Sequence, residues 1–170
     1  MIFKILESLF LIFSNILLSL PFTIFGLSKF DPLEIKADWQ PPGYVFGIVW
    51  PILYLLFSII NIRIMISKNI STELKNQIIS DSLLEAILQA LWVFVTIKFG
   101  ESRKFIQYVI GLFVMLYLVY HCYFIRKPIF KLVDITSYYL YVPYSIWIVF
   151  ALILNLQIIL KYYNLGQPLF

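Results

Sequence analysis

Long apolar runs separated by short polar connectors dominate the chain, and the runs are too long for strands. A helix that crosses a bilayer needs about 20 mainly apolar residues. Five stretches approach that length: roughly residues 5–28, 44–65, 78–99, 105–125 and 135–160. The first is uncharged from Ser8 to Ser28, the second from Tyr44 to Ile62, and the fifth throughout. A cleavable signal peptide competes for the first stretch. It is disfavoured because Lys4 is offset by Glu7 and no small-x-small cleavage site follows. The third stretch is the least apolar, with Glu85 and Gln89 in its first half, and the fourth is interrupted by His121.

The connectors differ in kind. Residues 29–43 (KFDPLEIKADWQPPG) form a long first connector that alternates charged and apolar positions. Its end cannot be helical, because Pro41 and Pro42 lack amide donors and each disfavours helical geometry in the residue before it. Residues 67–82 are polar and read as surface, with Ser71 or Thr72 placed to cap a helical turn. Residues 100–104 make a short turn. Residues 126–134 (RKPIFKLVD) read as a basic turn that Pro128 keeps from continuing the helix before it.

Composition turns this pattern into a class. The 170 residues are 62% hydrophobic and 13% charged, with a mean hydropathy of +0.91. That leaves too little polar surface to coat a water-soluble globule. The expected fold is an all-α integral membrane protein, a five-transmembrane-helix bundle forming a single domain over 1–170. Lys and Arg divide seven against six between the two sides, so charge assigns no orientation. The net charge of +4 lies in loops and favours lipid headgroups over nucleic acid. The single cysteine, Cys122, rules out an intrachain disulfide. There is no internal repeat.

Motifs of conventional catalysis are absent: no phosphate-binding glycine loop, HExxH, GxSxG or CxxC. No metal site and no required cofactor are expected. His121, the only histidine, reads as an interfacial or packed side chain or as a single axial haem ligand. Glu85, Gln89 and Trp92 fall at i, i+4 and i+7, on one face of the third helix. Glu85 either sits near the interface and touches water or faces inward in a polar-ligand or proton-coupled role. Trp50 and Tyr54 share a face of the second helix, Trp92 and Phe94 mark the third, and Tyr144, Trp147 and Ala151 share a face of the fifth. Such rings either pack the core or wall a pocket for a flat apolar ligand, with Ala151 leaving room. Asn155 lies deep in the fifth helix and reads as a bond to a neighbouring helix or as a ligand contact.

Two runs carry a family resemblance. The first comprises Trp39, Pro41, Pro42, Tyr44, Val45, Gly47, Val49, Trp50, Leu53 and Tyr54; the second comprises Pro143, Tyr144, Trp147, Phe150, Leu154 and Asn155. In order, spacing and overall length the chain resembles the TspO/translocator protein family, formerly the peripheral benzodiazepine receptor. The resemblance implies a five-helix bundle with a pocket open towards the first connector. Members bind porphyrins such as protoporphyrin IX and haem, and in animals cholesterol and benzodiazepine-type ligands. Some bacterial members promote light-dependent porphyrin breakdown, and homodimers are common. By motif position Trp50 and Trp147 would be the pocket tryptophans. Phe46, Tyr54, Phe94 and Ala151 would line the cavity under a lid of Trp39, Pro41 and Pro42.

Three departures qualify this. Leu91 stands where the family has an asparagine, Phe94 replaces a tryptophan, and Leu156 and Leu160 break the sterol-recognition pattern of the last helix. Sterol is therefore the less favoured ligand. The leading expectation is a membrane protein that binds a tetrapyrrole between its helices for transport, sensing or breakdown. Any oxidation would use Trp50 and Trp147 as electron or radical partners. The alternative is a transporter or small channel with Glu85, Gln89 and Asn155 as a polar track.

Overall fold

A computed structural model describes residues 37–96 and 104–164 together with Leu17; the expected first span, residues 5–28, otherwise lies outside them. Helices account for nearly all of the described chain: α1 Gly43–Ile66, α2 Thr72–Thr96, α3 Lys104–Tyr120, α4 Lys127–Val133 and α5 Ile135–Asn164. A π-helical segment, His121–Arg126, joins α3 to α4, so the three make one continuous rod. Among the described residues there is no strand.

Three helices are long and apolar enough to cross a membrane: Gly43–Ile66, Phe105–Val133 and Ile135–Asn164. Helix α2 is 25 residues long but carries Glu73, Lys75, Asp81 and Glu85. Its polarity is explained by what it faces. The rods form a ring in which α1 packs on α2, α2 on α3, α3 on α5 and α5 back on α1. The buried stripes have helical spacing: Trp50, Tyr54, Phe57, Asn61 and Ile64 on α1, and Ile78, Ser82, Glu85 and Gln89 on α2. Helix α5 contributes Ser137, Tyr141, Tyr144, Ile148, Ala151 and Asn155. The opposite faces, with Ile52, Leu55 and Ile59 on α1 and Ile146 and Ile153 on α5, are exposed and apolar, as lipid requires.

Local signals set most boundaries. Helix α1 starts directly after Pro42, whose carbonyl accepts from the Val45 amide at 2.9 Å. Pro51 and Pro143 lie inside α1 and α5, a position that membrane helices tolerate. Ser71 caps α2 through its Oγ, which accepts from the Leu74 amide at 3.3 Å. The supposed surface stretch 67–82 is corrected: α2 begins at Thr72, and Ile78 and Ser82 are fully buried.

The basic turn expected at 126–134 is also corrected. The helix runs on to Val133, and Asp134 alone links α4 to α5. The reason lies in the π-helical segment. Its wider turn pairs the Lys127 amide with the carbonyl of Cys122, five residues back. Pro128 follows directly after this shift in hydrogen-bond pattern, in the first turn of α4, and the rod continues through it.

Asp134 closes this junction. Arg63, in the last turn of α1, donates to both carboxylate oxygens at 2.9 and 3.0 Å, and the same carboxylate accepts from Ser137 Oγ at 2.6 Å and the Thr136 amide at 3.3 Å. The Arg63 bonds hold the Asp134 carboxyl down at about 2. A carboxyl depressed in the fold stabilises it above its unfolded value of about 3.9, and that stability is lost as pH falls through the folded value. Detergent-solubilised protein should therefore lose thermal stability as pH falls from about 4 towards 2. Asp134→Asn, which keeps a capping oxygen, should cost about 1 kcal/mol at neutral pH and flatten the acid slope. An unchanged slope in the variant would show that the pair is inert.

Candidate functional site

Three helices bring tryptophans to one level of the ring. Trp50 of α1 lies 6.2 Å from Trp92 of α2 and 6.3 Å from Trp147 of α5, centroid to centroid. Tyr54 stacks on Trp50 at 5.5 Å, and Phe46 meets Trp147 edge-on at 5.6 Å. Trp147 stacks on Phe150 at 5.0 Å, and Phe150 in turn receives the edge of Trp39 at 5.5 Å. Offset and edge-to-face contacts of this kind suit the ring quadrupole. Trp50, Tyr54 and Ala151 are buried, Trp92, Phe46 and Trp147 half-buried, and Trp39 exposed. The Trp147 Nε1 donor finds no acceptor among the described residues.

The turn before α1 lies over the outer part of this cluster. The Gln40 amide bonds to the Ala37 carbonyl at 3.1 Å, Pro41 is half-buried and Pro42 exposed, and Asp38 pairs with Lys161 near the end of α5. The Phe94 side chain lies outside the described residues. Tyr144 is fully buried one layer deeper, against Phe57 at 4.6 Å, and its hydroxyl accepts from Gln89 Nε2 at 2.8 Å. Asn155 bonds to a neighbouring helix, its Nδ2 donating to the Tyr108 carbonyl at 3.4 Å. The bonds of Asn155 and of Glu85 and Gln89 thus go to different neighbours.

A second, polar cluster lies on the same faces of α2 and α5, one to two turns nearer Asp134. Glu85 is fully buried and does not touch water. Its Oε1 accepts from the Tyr141 hydroxyl at 2.5 Å and lies 3.0 Å from His121 Nδ1. His121 Nε2 is 3.7 Å from Asp81. Arg126, also fully buried, donates to the Ile78 carbonyl at 2.7 Å and Ser82 Oγ at 2.6 Å, and Ser82 Oγ donates to Asn61 Oδ1 at 2.9 Å. The guanidinium covers the Phe130 ring at 4.5 Å, and its Nε lies 3.6 Å from Glu85 Oε2. His121 is accordingly a packed, hydrogen-bonding side chain. Among the described residues no group of three His, Cys, Asp or Glu is arranged to hold a metal.

Comparison with known proteins settles the relationship. The TspO/MBR family model matches residues 9–160. The chain is 30% identical over 129 residues to protein CrtK of Rhodobacter capsulatus, covering 76% of this chain and 75% of that one. The chain belongs to the TspO/MBR family. It is a multi-pass integral membrane protein, as the family match and three membrane-length apolar helices together require.

Within this TspO/MBR chain, sequence reasoning missed Arg126. Its neighbours Lys127 and Pro128 made it look like part of a loop, and only the continued helix turns it inward. A weak signal existed: Arg126 follows His121 by five residues, the spacing that one π turn places together. The Glu85–His121 pairing, 36 residues apart, left no local trace. Removing one partner of a buried ionic cluster strands the others, at about 3–5 kcal/mol. Arg126→Gln should therefore lower thermal stability by that order. Differential scanning fluorimetry on Cys122 accessibility would check it, and a variant as stable as wild type would mean that water reaches the cluster freely.

Proposed function

We propose that the protein binds a tetrapyrrole of the protoporphyrin IX or haem type, or a comparably flat apolar ligand, against the aromatic cluster of α1, α2 and α5. The reading includes a five-helix bundle in which residues 5–28 supply the remaining span and residues 1–170 act as one domain. The observation that carries it is the convergence of Trp50, Trp92 and Trp147 from three helices. Their faces offer stacking area, and the unpaired Trp147 Nε1 offers a donor to a polar edge of the ligand.

Ligand entry would exchange ring–ring contacts for ring–ligand contacts. Ala151, buried one turn beyond Trp147, keeps that face of α5 low. The turn carrying Trp39, Pro41 and Pro42 would restrict access of water, and Phe46, Tyr54, Phe94, Tyr144 and Asn155 complete the proposed lining and its support. The role is binding for transport, sensing or light-dependent breakdown. Where breakdown follows binding, Trp50 and Trp147 would lie beside the ring as electron partners. The leucines at 156 and 160, which break the sterol-recognition pattern, favour a tetrapyrrole over a sterol.

Titration of the purified protein with protoporphyrin IX should quench tryptophan fluorescence saturably. Trp147→Ala should weaken that affinity at least tenfold, a loss of about 1.4 kcal/mol. Product analysis in light and dark would show whether chemistry follows. Saturable binding left intact by both Trp50→Ala and Trp147→Ala would remove the site. Liposome flux abolished by Glu85→Gln but kept by Trp147→Ala would replace this reading with the polar track.

A further inference from the structure

The polar cluster has an odd charge count. Asp81 and Glu85 supply two carboxylates, and Arg126 supplies one fixed positive charge. Arg126 and Glu85 are fully buried, His121 is 2% exposed, and the Asp81 side chain is 18% exposed. The bonds of Arg126 go chiefly to Ile78 and Ser82, and its Nε approaches Glu85 no closer than 3.6 Å. One negative charge therefore remains unless a proton is added. Both nitrogens of His121 face carboxylates, Nδ1 towards Glu85 at 3.0 Å and Nε2 towards Asp81 at 3.7 Å. A neutral imidazole has one donor and one acceptor nitrogen, and ionised carboxylates only accept. With both carboxylates ionised, only a doubly protonated ring offers each of them a donor.

We propose that Asp81, Glu85, His121 and Arg126 form a proton-binding site, in which one proton on His121 completes a neutral quartet and locks α2 against the π-helical segment and α5. The other groups around it do not supply that charge. On α5, Tyr141 already donates its hydroxyl to Glu85, and Tyr144 is engaged by Gln89. On α3, Tyr117 stacks on the imidazole at 6.0 Å. In the π-helical segment Cys122 is buried, and at the start of α4 Lys127 lies over the Tyr123 ring at 4.4 Å. Helix α1 contributes the neutral Asn61, whose oxygen accepts from Ser82.

Loss of the proton has a definite structural consequence. It leaves a lone pair of His121 facing a carboxylate and a net negative charge in a largely buried site. The imidazole must then turn away. That movement removes the contacts of His121 with Glu85 and Asp81 and leaves Arg126 as the remaining tie between the π-helical segment and α2. Asp81, the partly exposed member, lies on the route by which the proton enters and leaves. The device does not depend on the tetrapyrrole reading, and its test needs no ligand.

Because the chain has one histidine, isotope labelling of that residue type reports on His121 alone. Nitrogen NMR of the full chain in lipid nanodiscs at pH 7 should show two protonated ring nitrogens. On alkaline titration these should give way to one N–H and one bare nitrogen. The melting temperature should fall by several degrees over the same interval, because the stability supplied by the bound proton is lost as pH rises. In Glu85→Gln, Arg126 and Asp81 balance without a further proton, so His121 should be singly protonated at pH 7 and the alkaline fall in melting temperature should vanish. Asp81→Asn, at the rim of the cluster, makes the same prediction should Glu85→Gln not fold. A singly protonated His121 in the wild type at pH 7 would overturn the proposal, as would a doubly protonated ring in both variants.

Discussion

The described bundle turns on Arg126. A guanidinium with no exposure in a chain this apolar cannot be left to solvent, so its donors must be met from within. Its two terminal nitrogens are met by a carbonyl and a hydroxyl of α2, its Nε faces the Glu85 carboxylate at 3.6 Å, and Phe130 and Tyr141 pack against its face. Helix–helix association in lipid gains little from hydrophobic transfer, since acyl chains are as apolar as leucine. Directional bonds of this kind therefore matter more to which helix neighbours which than they would in water. Sliding α2 by one residue would carry Ile78, Ser82 and Glu85 off their partners together.

Arg126 occupies that position because of the π-helical segment. Insertion of one residue into an α-helix rotates everything after it relative to what precedes it. Here that rotation lets the apolar α3, with its exposed Ile106, Ile110 and Phe113, continue into a segment that presents His121, Cys122 and Arg126 to the interior. It also places Pro128 in a first turn. One local distortion thus reconciles a lipid-facing helix, a buried cation and a proline that would otherwise stop the rod.

Much of this was legible in the chain. Pro41 and Pro42 mark the start of α1, Ser71 marks the start of α2, and the spacing of Glu85, Gln89 and Trp92 gives the inward face of α2. Asn155 does bond to a neighbouring helix. The failures share one cause: polar residues were weighed one connector at a time. Ser82 and Arg126 look like surface because lysines, a proline and other polar residues adjoin them. Their burial depends on each other, across 44 positions, and on a helix that hydrogen-bond geometry rather than residue preference allows to continue. The aromatic partners were recoverable because tryptophans at helical spacing announce a face without reference to their neighbours.

The two clusters also constrain one another. Helix α2 presents Ser82, Glu85, Gln89 and Trp92 along a single stripe, and α5 answers with Tyr141, Tyr144, Trp147 and Ala151. Gln89 and Tyr144, bonded at 2.8 Å, sit between the ionic layer and the indole layer. Rings can be rearranged at modest cost, since edge-to-face and stacked contacts differ by about 1 kcal/mol or less. Buried ions cannot, because any displacement exposes an uncompensated charge. The end of the bundle near Asp134 is therefore the rigid frame and the tryptophan level the adaptable part. A ligand that spreads the indoles would tilt α2 and α5 about the polar cluster, so the fixed point of that motion would also be the proposed proton site.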